Sequence, residues 1–262
     1  MMKKLSLTEY SAKIPKPGKS DYYVVVLIFR GEETKKFPRL KRHSILKRYW
    51  SKDFLEAVSE AMAVKEYANL TVDGKPLPRQ NVKVMYYLNP VDFLKLSYLV
   101  STTFIQEKMN TVLASLRKGD LRGAESVLLR GDVFSLAFSN MAKAVKKHVI
   151  MVDVDTKDKE FLSLLEGVPV RFVIETQHGY HLHVYIEDVK DNETLKKLYS
   201  INEAFSRKDS FKRLFGEKLL VKWKESLIEV KGTNPLEYVP TDDYPVYELE
   251  SRDVREFVEF RS

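Results

Sequence analysis

Two carboxylates separated by one residue are the sharpest local feature of the chain. Asp153 and Asp155 close the apolar run Val-Ile-Met-Val-Asp-Val-Asp. Side chains alternate along an extended strand, so positions 153 and 155 share a face. Two ionised carboxylates side by side repel one another, and burying them is costly unless a cation neutralises the pair. The pairing therefore suits a hard divalent ion such as Mg²⁺ or Mn²⁺. The carboxyl end of an apolar strand is also where ligands gather in open α/β sheets.

A second group follows, Glu175-Thr-Gln-His178-Gly179-Tyr180-His181-Leu182-His183, which contains three of the five histidines in the chain. His181 and His183 share one face of their strand, and Gly179 permits close approach of backbone to a ligand. A third group is Lys222-Trp-Lys224-Glu225-Ser-Leu-Ile-Glu229-Val-Lys231-Gly232-Thr233. On an extended segment Glu225 and Glu229 share a face, and either supplies a third acidic ligand, with Lys224 and Lys231 beside them to balance phosphate charge.

The elements that must position these groups start at residue 147. A strand is expected over 148–155, a short helix over 158–166 ending at Gly167, and a strand over 170–176. Gln177, His178 and Gly179 make a tight turn into a hairpin strand over 180–187. A helix over 192–205 and an extended segment over 219–230 complete a β-α-β-β-α-β order, the ferredoxin-like or RRM-like arrangement. Upstream, residues 1–20, with Pro15, Pro17 and Gly18, are expected to be an extended lead-in. Strands follow over 22–29 and 82–88, a helix over 53–68 and a loop over 71–80. Much of 91–147 is expected to be helical, broken near Gly119–Asp120 and Gly131–Asp132. A basic stretch from Lys35 and Lys36 to Lys47 and Arg48 is interleaved with Phe37, Tyr49 and Trp50. Near the end of the chain, a strand over 244–249 and a terminal helix are expected. The fold class is thus α+β, with an N-terminal α/β and helical unit over 1–143 and an RRM-like unit over 144–262, the two forming one domain.

Composition bounds the chemistry. Of 262 residues, 44% are hydrophobic and 31% charged, and none is cysteine. Disulfides, thiolate metal sites and thiol nucleophiles are excluded, so carboxylates and histidines must hold any metal. Lys and Arg number 44 against 37 acidic residues, a net charge of +7 that suits a polyanionic partner. No apolar run reaches the length that spans a bilayer, and no signal peptide opens the chain, so a cytoplasmic protein with no membrane partner is expected.

Taken together, the motifs resemble those of the archaeo-eukaryotic primase superfamily, in its primase–polymerases of phage, plasmid and archaeal type. Asp153 and Asp155 match its first motif and Gly179-Tyr180-His181 its second. Tyr86-Tyr87-Leu88-Asn89-Pro90 resembles a Leu-Asn-Pro strand end, and Gly232-Thr233 a Pro-Gly-Thr loop, of phage and plasmid members. The match covers residues 80–240 and is specific in the first two motifs. The third motif departs from the family, whose single Asp is replaced here by Glu229 or Glu225, and Lys231 stands in place of the loop proline.

The resemblance implies an RRM-like catalytic core packed with an N-terminal α/β unit, and a DNA primase or polymerase transferring nucleotides by a two-metal mechanism. Asp153, Asp155 and a glutamate would hold Mg²⁺ or Mn²⁺. His181, Gly179, Lys231 and Lys224 would meet the nucleotide. The implied partners are a single-stranded DNA template, NTPs or dNTPs, and a separate helicase or template-handling protein. The same histidines also fit a His-hydrophobic-His nuclease of rolling-circle type, with Tyr199 as nucleophile. A non-catalytic RRM-like nucleic-acid-binding domain is the third expectation.

Overall fold

The computed structural model describes residues 2–30, 37, 40, 44–129 and 140–260. Strands and helices run in the order β1 (Met2–Leu5), α1 (Leu7–Lys13), β2 (Asp21–Phe29), β3 (Ser44–Ser51), α2 (Phe54–Tyr67), β4 (Thr71–Val72), β5 (Lys75–Pro76), β6 (Val82–Tyr87) and β7 (Val91–Asp92). Two helices follow, α3 (Phe93–Arg117) and α4 (Leu121–Leu129), parted by Gly119 in a left-handed conformation at φ 71°. The remainder is β8 (Val149–Val154), α5 (Lys159–Ser163), β9 (Val170–Glu175), β10 (Tyr180–Tyr185), α6 (Asn192–Ser206), α7 (Lys208–Phe215), β11 (Ile228–Val230), β12 (Leu236–Tyr238), β13 (Val246–Leu249) and α8 (Val254–Phe260). The basic pair Lys35–Lys36 and the helix break at Gly131–Asp132 lie outside the described residues.

The fold is α+β, built on two larger antiparallel sheets. The first has the strand order β1-β13-β9-β10-β8-β11, the second β12-β6-β2-β3 with β7 on the start of β2. Alternation divides the first sheet into two faces. Ile150, Val152, Val154, Leu182 and Val184 pack with Phe161, Leu198, Phe205, Phe211 and Phe257 from α5 to α8. Val149, Met151, Phe172 and Ile174 point the other way, into a core shared with Val25, Leu27, Val84 and Tyr86 of the second sheet and with α1 and α2. The opposite face of the second sheet, Val24, Val26 and Met85, is covered by Leu96 and Val100 of α3. No helix among the described residues is long and apolar enough to cross a membrane.

Two expectations need correction. Residues 1–20 are not an extended lead-in: β1 pairs with β13, and Ser6 and Glu9 form a capping box that starts α1. The polar surface of this segment hides a helical spacing, since Tyr10 and Ile14 are buried one turn apart. The segment 219–230 is extended only at Ile228–Val230; a 3₁₀ turn spans Lys218–Lys222 and α7 precedes it. Phe211, Phe215, Leu219 and Leu220 recur at helical intervals and pack against the helical side of the first sheet, which overrides extended propensity. Within 71–80, β4 and β5 form a two-strand hairpin.

The sheets also exchange strands. β1, from the start of the chain, joins the first sheet, and β12, from the later half, joins the second by pairing with β6. Asn89 clasps the crossing. Its Oδ1 accepts from the backbone N–H of His148 at 2.8 Å and Val149 at 2.9 Å, and its Nδ2 donates to Val149 O at 3.0 Å and Thr233 O at 3.3 Å. Asn234 answers reciprocally, its amide bonding the backbone N–H and C=O of Asn89 at 2.8 and 3.0 Å. The Leu-Asn-Pro strand end and the residues after Gly232 are thus joined physically at the start of the Asp153 strand. Asn89→Leu keeps the volume but orphans several backbone groups, each costing about 1–3 kcal/mol. Urea unfolding of this variant is expected to show a loss of at least about 3 kcal/mol.

Candidate functional site

Register aligns the chemistry-bearing residues in one row. His181 of β10 lies opposite Asp153 of β8, which lies opposite Glu229 of β11. All three occupy the face that carries Met151, away from the helices. His181 Nε2 is 3.5 Å from Asp153 Oδ1. Lys231 closes the row, its ammonium 3.1 Å from Asp153 Oδ2 and 2.5 Å from Glu229 Oε2. Burial would lower the Lys231 pKa, but the bond to Glu229 and the charge of Asp153 outweigh it and raise it.

Gly179 lets the β9–β10 hairpin close on this row. A Cβ there would lie 1.8 Å from Val154 O and 2.7 Å from Thr156 N, so no side chain fits. The turn is held by Thr176, whose N–H donates to Gly179 O at 2.9 Å and whose hydroxyl accepts from Gly179 N–H at 3.1 Å.

Behind His181 lies Glu237 of β12, a carboxylate with 0% exposure contributed by the other sheet. Its Oε1 takes His181 Nδ1 at 2.7 Å and its Oε2 takes His183 Nε2 at 2.7 Å. Oε1 also accepts the backbone N–H of Tyr238 at 2.7 Å. Burial pushes the Glu237 carboxyl up, but the charge of His181 and the bonds from both imidazoles prevail and hold it at about 2. Conversely, burial lowers the His181 pKa, and the charge and hydrogen bond of Glu237, with Asp153, raise it. Both imidazoles therefore donate to Glu237. His183 Nδ1 lies 3.3 Å from the Tyr10 hydroxyl, which in turn meets the Tyr86 hydroxyl at 2.5 Å. The free nitrogen of His181, Nε2, is the one presented to the cleft.

The cleft itself has a volume of about 480 Å³, within the range of small-molecule sites. Asp153, Asp155, His178, His181 and Lys231 line one wall; Arg30, Lys83, Tyr238 and Tyr244 line the other. Asp155 is exposed just past the end of β8, its backbone N–H donating to Leu227 O at 2.8 Å. Between the two candidate glutamates, Glu229 is the one beside Asp153. Glu225 sits in the turn before β11, and both it and Lys224 are exposed and outside the cleft lining. A fully extended 219–230 would put Glu225 on the face of Glu229, and the turn before β11 removes it from there. His183 is wholly enclosed, and Tyr199 is exposed on α6 without lining the cleft.

A metal ion would meet hard oxygen donors here, of the kind Mg²⁺ and Mn²⁺ prefer. Among the described residues no group of three or more His, Asp or Glu converges closely enough to hold one. The Lys231 ammonium lies between Asp153 and Glu229 instead, so two of the three acids already meet on a single cation. Compared with protein-family models, curated proteins and solved structures, the chain matches none.

Sequence reasoning missed Glu237, Arg30, Lys83, Tyr238 and Tyr244. The usable signal for Glu237 was a lone acid in the short apolar strand Pro235-Leu-Glu-Tyr-Val-Pro240, on the same face as Val239. Removing one partner of a buried charged group costs about 3–5 kcal/mol, and Glu237→Ala is expected to lose that much in denaturant unfolding. The carboxyl titrates at about 2 when folded against an ordinary 4.5. Its stabilisation is complete above 4.5 and is lost as pH falls towards about 2, because the unfolded chain binds the proton first. Acid unfolding of Glu237→Gln should lack this part of the pH dependence.

Proposed function

We propose that this chain is a metal-dependent nucleotidyltransferase, a DNA primase–polymerase that extends a strand on a single-stranded template using NTPs or dNTPs. The observation that carries this reading is the cross-strand row His181–Asp153–Glu229, of which His181 and Asp153 line one cleft together with Asp155 and Lys231. Carboxylates that would hold divalent ions stand beside an imidazole and an ammonium that would hold phosphate, which is the donor set phosphoryl transfer requires. The order β9-β10-β8-β11, with α5 and α6 in the intervening connections, supports the ferredoxin-like reading of the core.

In this mechanism Asp153, Asp155 and Glu229 would have to draw together to hold the divalent ions, which would supply Lewis-acid stabilisation of the reacting oxygens. His181, whose pKa the charge and hydrogen bond of Glu237 raise against the effect of burial, would present Nε2 to a phosphate of the incoming nucleotide. Lys231 exchanges its carboxylate partners for phosphate oxygens when the nucleotide binds. Gly179 keeps the turn low enough for the triphosphate to approach the backbone. Arg30 and Lys83 balance negative charge from the opposite wall.

The paired-histidine nuclease fits less well. Such an enzyme needs both imidazoles on one metal, whereas both ring nitrogens of His183 are engaged inside the core and Tyr199 stands away from the cleft.

Incubating the protein with unprimed single-stranded DNA, Mn²⁺ or Mg²⁺ and labelled nucleotides should yield oligonucleotides. Asp153→Ala should abolish that synthesis with the fold intact by circular dichroism; synthesis at the wild-type rate would refute the role given to Asp153. A charge-assisted hydrogen bond in a dry site is worth about 2–4 kcal/mol, so His181→Ala should slow incorporation roughly 10²-fold. His183→Ala should cost far less in rate and appear mainly as a lowered melting temperature. Equal, complete loss in both histidine variants, together with a covalent protein–DNA band removed by Tyr199→Phe, would favour the nuclease.

A further inference from the structure

The wall of the cleft that faces the carboxylates has a chemistry of its own. Three rings form a ladder from the acidic row outward. His181 lies on Tyr238 with centroids 5.7 Å apart and planes 25° apart. Tyr238 lies on Tyr244 at 3.9 Å and 10°. Tyr244 is the last ring: among the described residues its only ring partner is Tyr238. It is half-buried, lines the cleft, and is fixed by a turn in which Thr241 and Tyr244 exchange backbone hydrogen bonds at 3.2 and 3.1 Å.

Two cations accompany the rings. The Arg30 guanidinium lies 5.3 Å from the Tyr238 centroid and donates to its hydroxyl. The Lys83 ammonium lies 6.0 Å from the Tyr244 centroid. Among the described residues neither cation forms an ion pair with a carboxylate, although the cleft opposite them is acidic. A flat aromatic face beside cations that meet no carboxylate among the described residues suits a planar base that carries phosphate, because bases stack on aromatic side chains whatever their sequence while the cations follow the backbone charge.

We infer that Tyr238 and Tyr244 form a nucleobase subsite, with Tyr244 the stacking surface and Lys83 and Arg30 meeting the phosphate attached to that base. This rests on the nucleotidyltransferase reading for its substrate class, but its residues lie outside the metal and phosphate row. The base belongs either to a free nucleotide or to a single strand. Both share the same chemistry, and the experiment separates them.

The probes are 2-aminopurine riboside triphosphate against tripolyphosphate, and a short single strand with a central 2-aminopurine against the same strand with an abasic residue there. Binding is measured by competition and by fluorescence quenching, without divalent metal, so that no turnover contributes. The base-bearing member of at least one pair should bind roughly tenfold tighter than its base-free counterpart and be quenched. The pair that shows the preference identifies the source of the base. Tyr244→Ala should erase the preference, and Tyr244→Phe, which keeps the ring, should retain it. Lys83→Gln should weaken both members of that pair alike.

No preference for the base in either pair overturns the subsite. So does a Tyr244→Ala protein, folded by circular dichroism, that retains the preference. Failure of the broader reading looks different: base-dependent binding through Tyr244 with no nucleotide incorporation would discard the polymerase and keep the subsite. Incorporation by a protein whose base preference ignores Tyr244 would do the reverse.

Discussion

A carboxylate buried without solvent contact must find its compensation within the protein, and Glu237 finds it in two imidazoles and a backbone N–H. The penalty for burying a lone charge runs to several kcal/mol, and it is met only if the partners hold their geometry. Those partners belong to β10 of the first sheet, whereas Glu237 belongs to β12 of the second. The distance between the sheets at this point is therefore set by hydrogen bonds rather than by apolar contact alone, and Tyr10 and Tyr86 extend the same constraint into the shared core.

The consequence for the cleft is directional. His181 has two nitrogens, and Glu237 claims Nδ1, so only Nε2 can face Asp153 and whatever occupies the cleft. The ring is also gripped on its flat side by Tyr238, the neighbour of Glu237 in β12. One short strand thus fixes both the rotation and the protonated edge of the imidazole. Beside it, Lys231 keeps Asp153 and Glu229 from repelling one another in the absence of another cation.

How much of this was legible in the sequence follows from which interactions are local. Strands β8 and β10 announce themselves by apolar runs, and period-two alternation places Asp153 and His181 on stated faces without any knowledge of tertiary contacts. Gly179 was legible as a residue that permits close approach, although its real constraint is the carbonyl of Val154 on another strand. Glu229, after Leu227 and Ile228, was the better fit to an apolar-then-acid strand, but the exclusion of Glu225 depends on where a 3₁₀ turn ends, and packing of Leu219 and Leu220 decides that. Glu237 escaped notice for a deeper reason. Its strand is three residues long and pairs with β6, far away in sequence, so no local pattern says which sheet it joins. The same holds for Arg30 and Lys83, which read as ordinary surface cations until β12 brings Tyr238 alongside them.

The strand exchange explains why the site cannot be assigned to either half of the chain. Asp153 and His181, with Glu229 beside them, belong to strands of the first sheet, and Asp155 and Lys231 directly follow β8 and β11; Lys83 and Tyr238 belong to the second, and Arg30 directly follows β2. The Asn89–Asn234 clasp closes β6 onto the start of β8 and the residues leading into β12, and so places the two walls across from each other. Stability and site geometry are therefore coupled at Asn89 and Glu237 but separable at Asp153, which is partly exposed and carries no part of the core. Charge follows the same division. The buried acid is matched within the core, whereas among the described residues Asp153 and Glu229 share the one ammonium of Lys231, outside it.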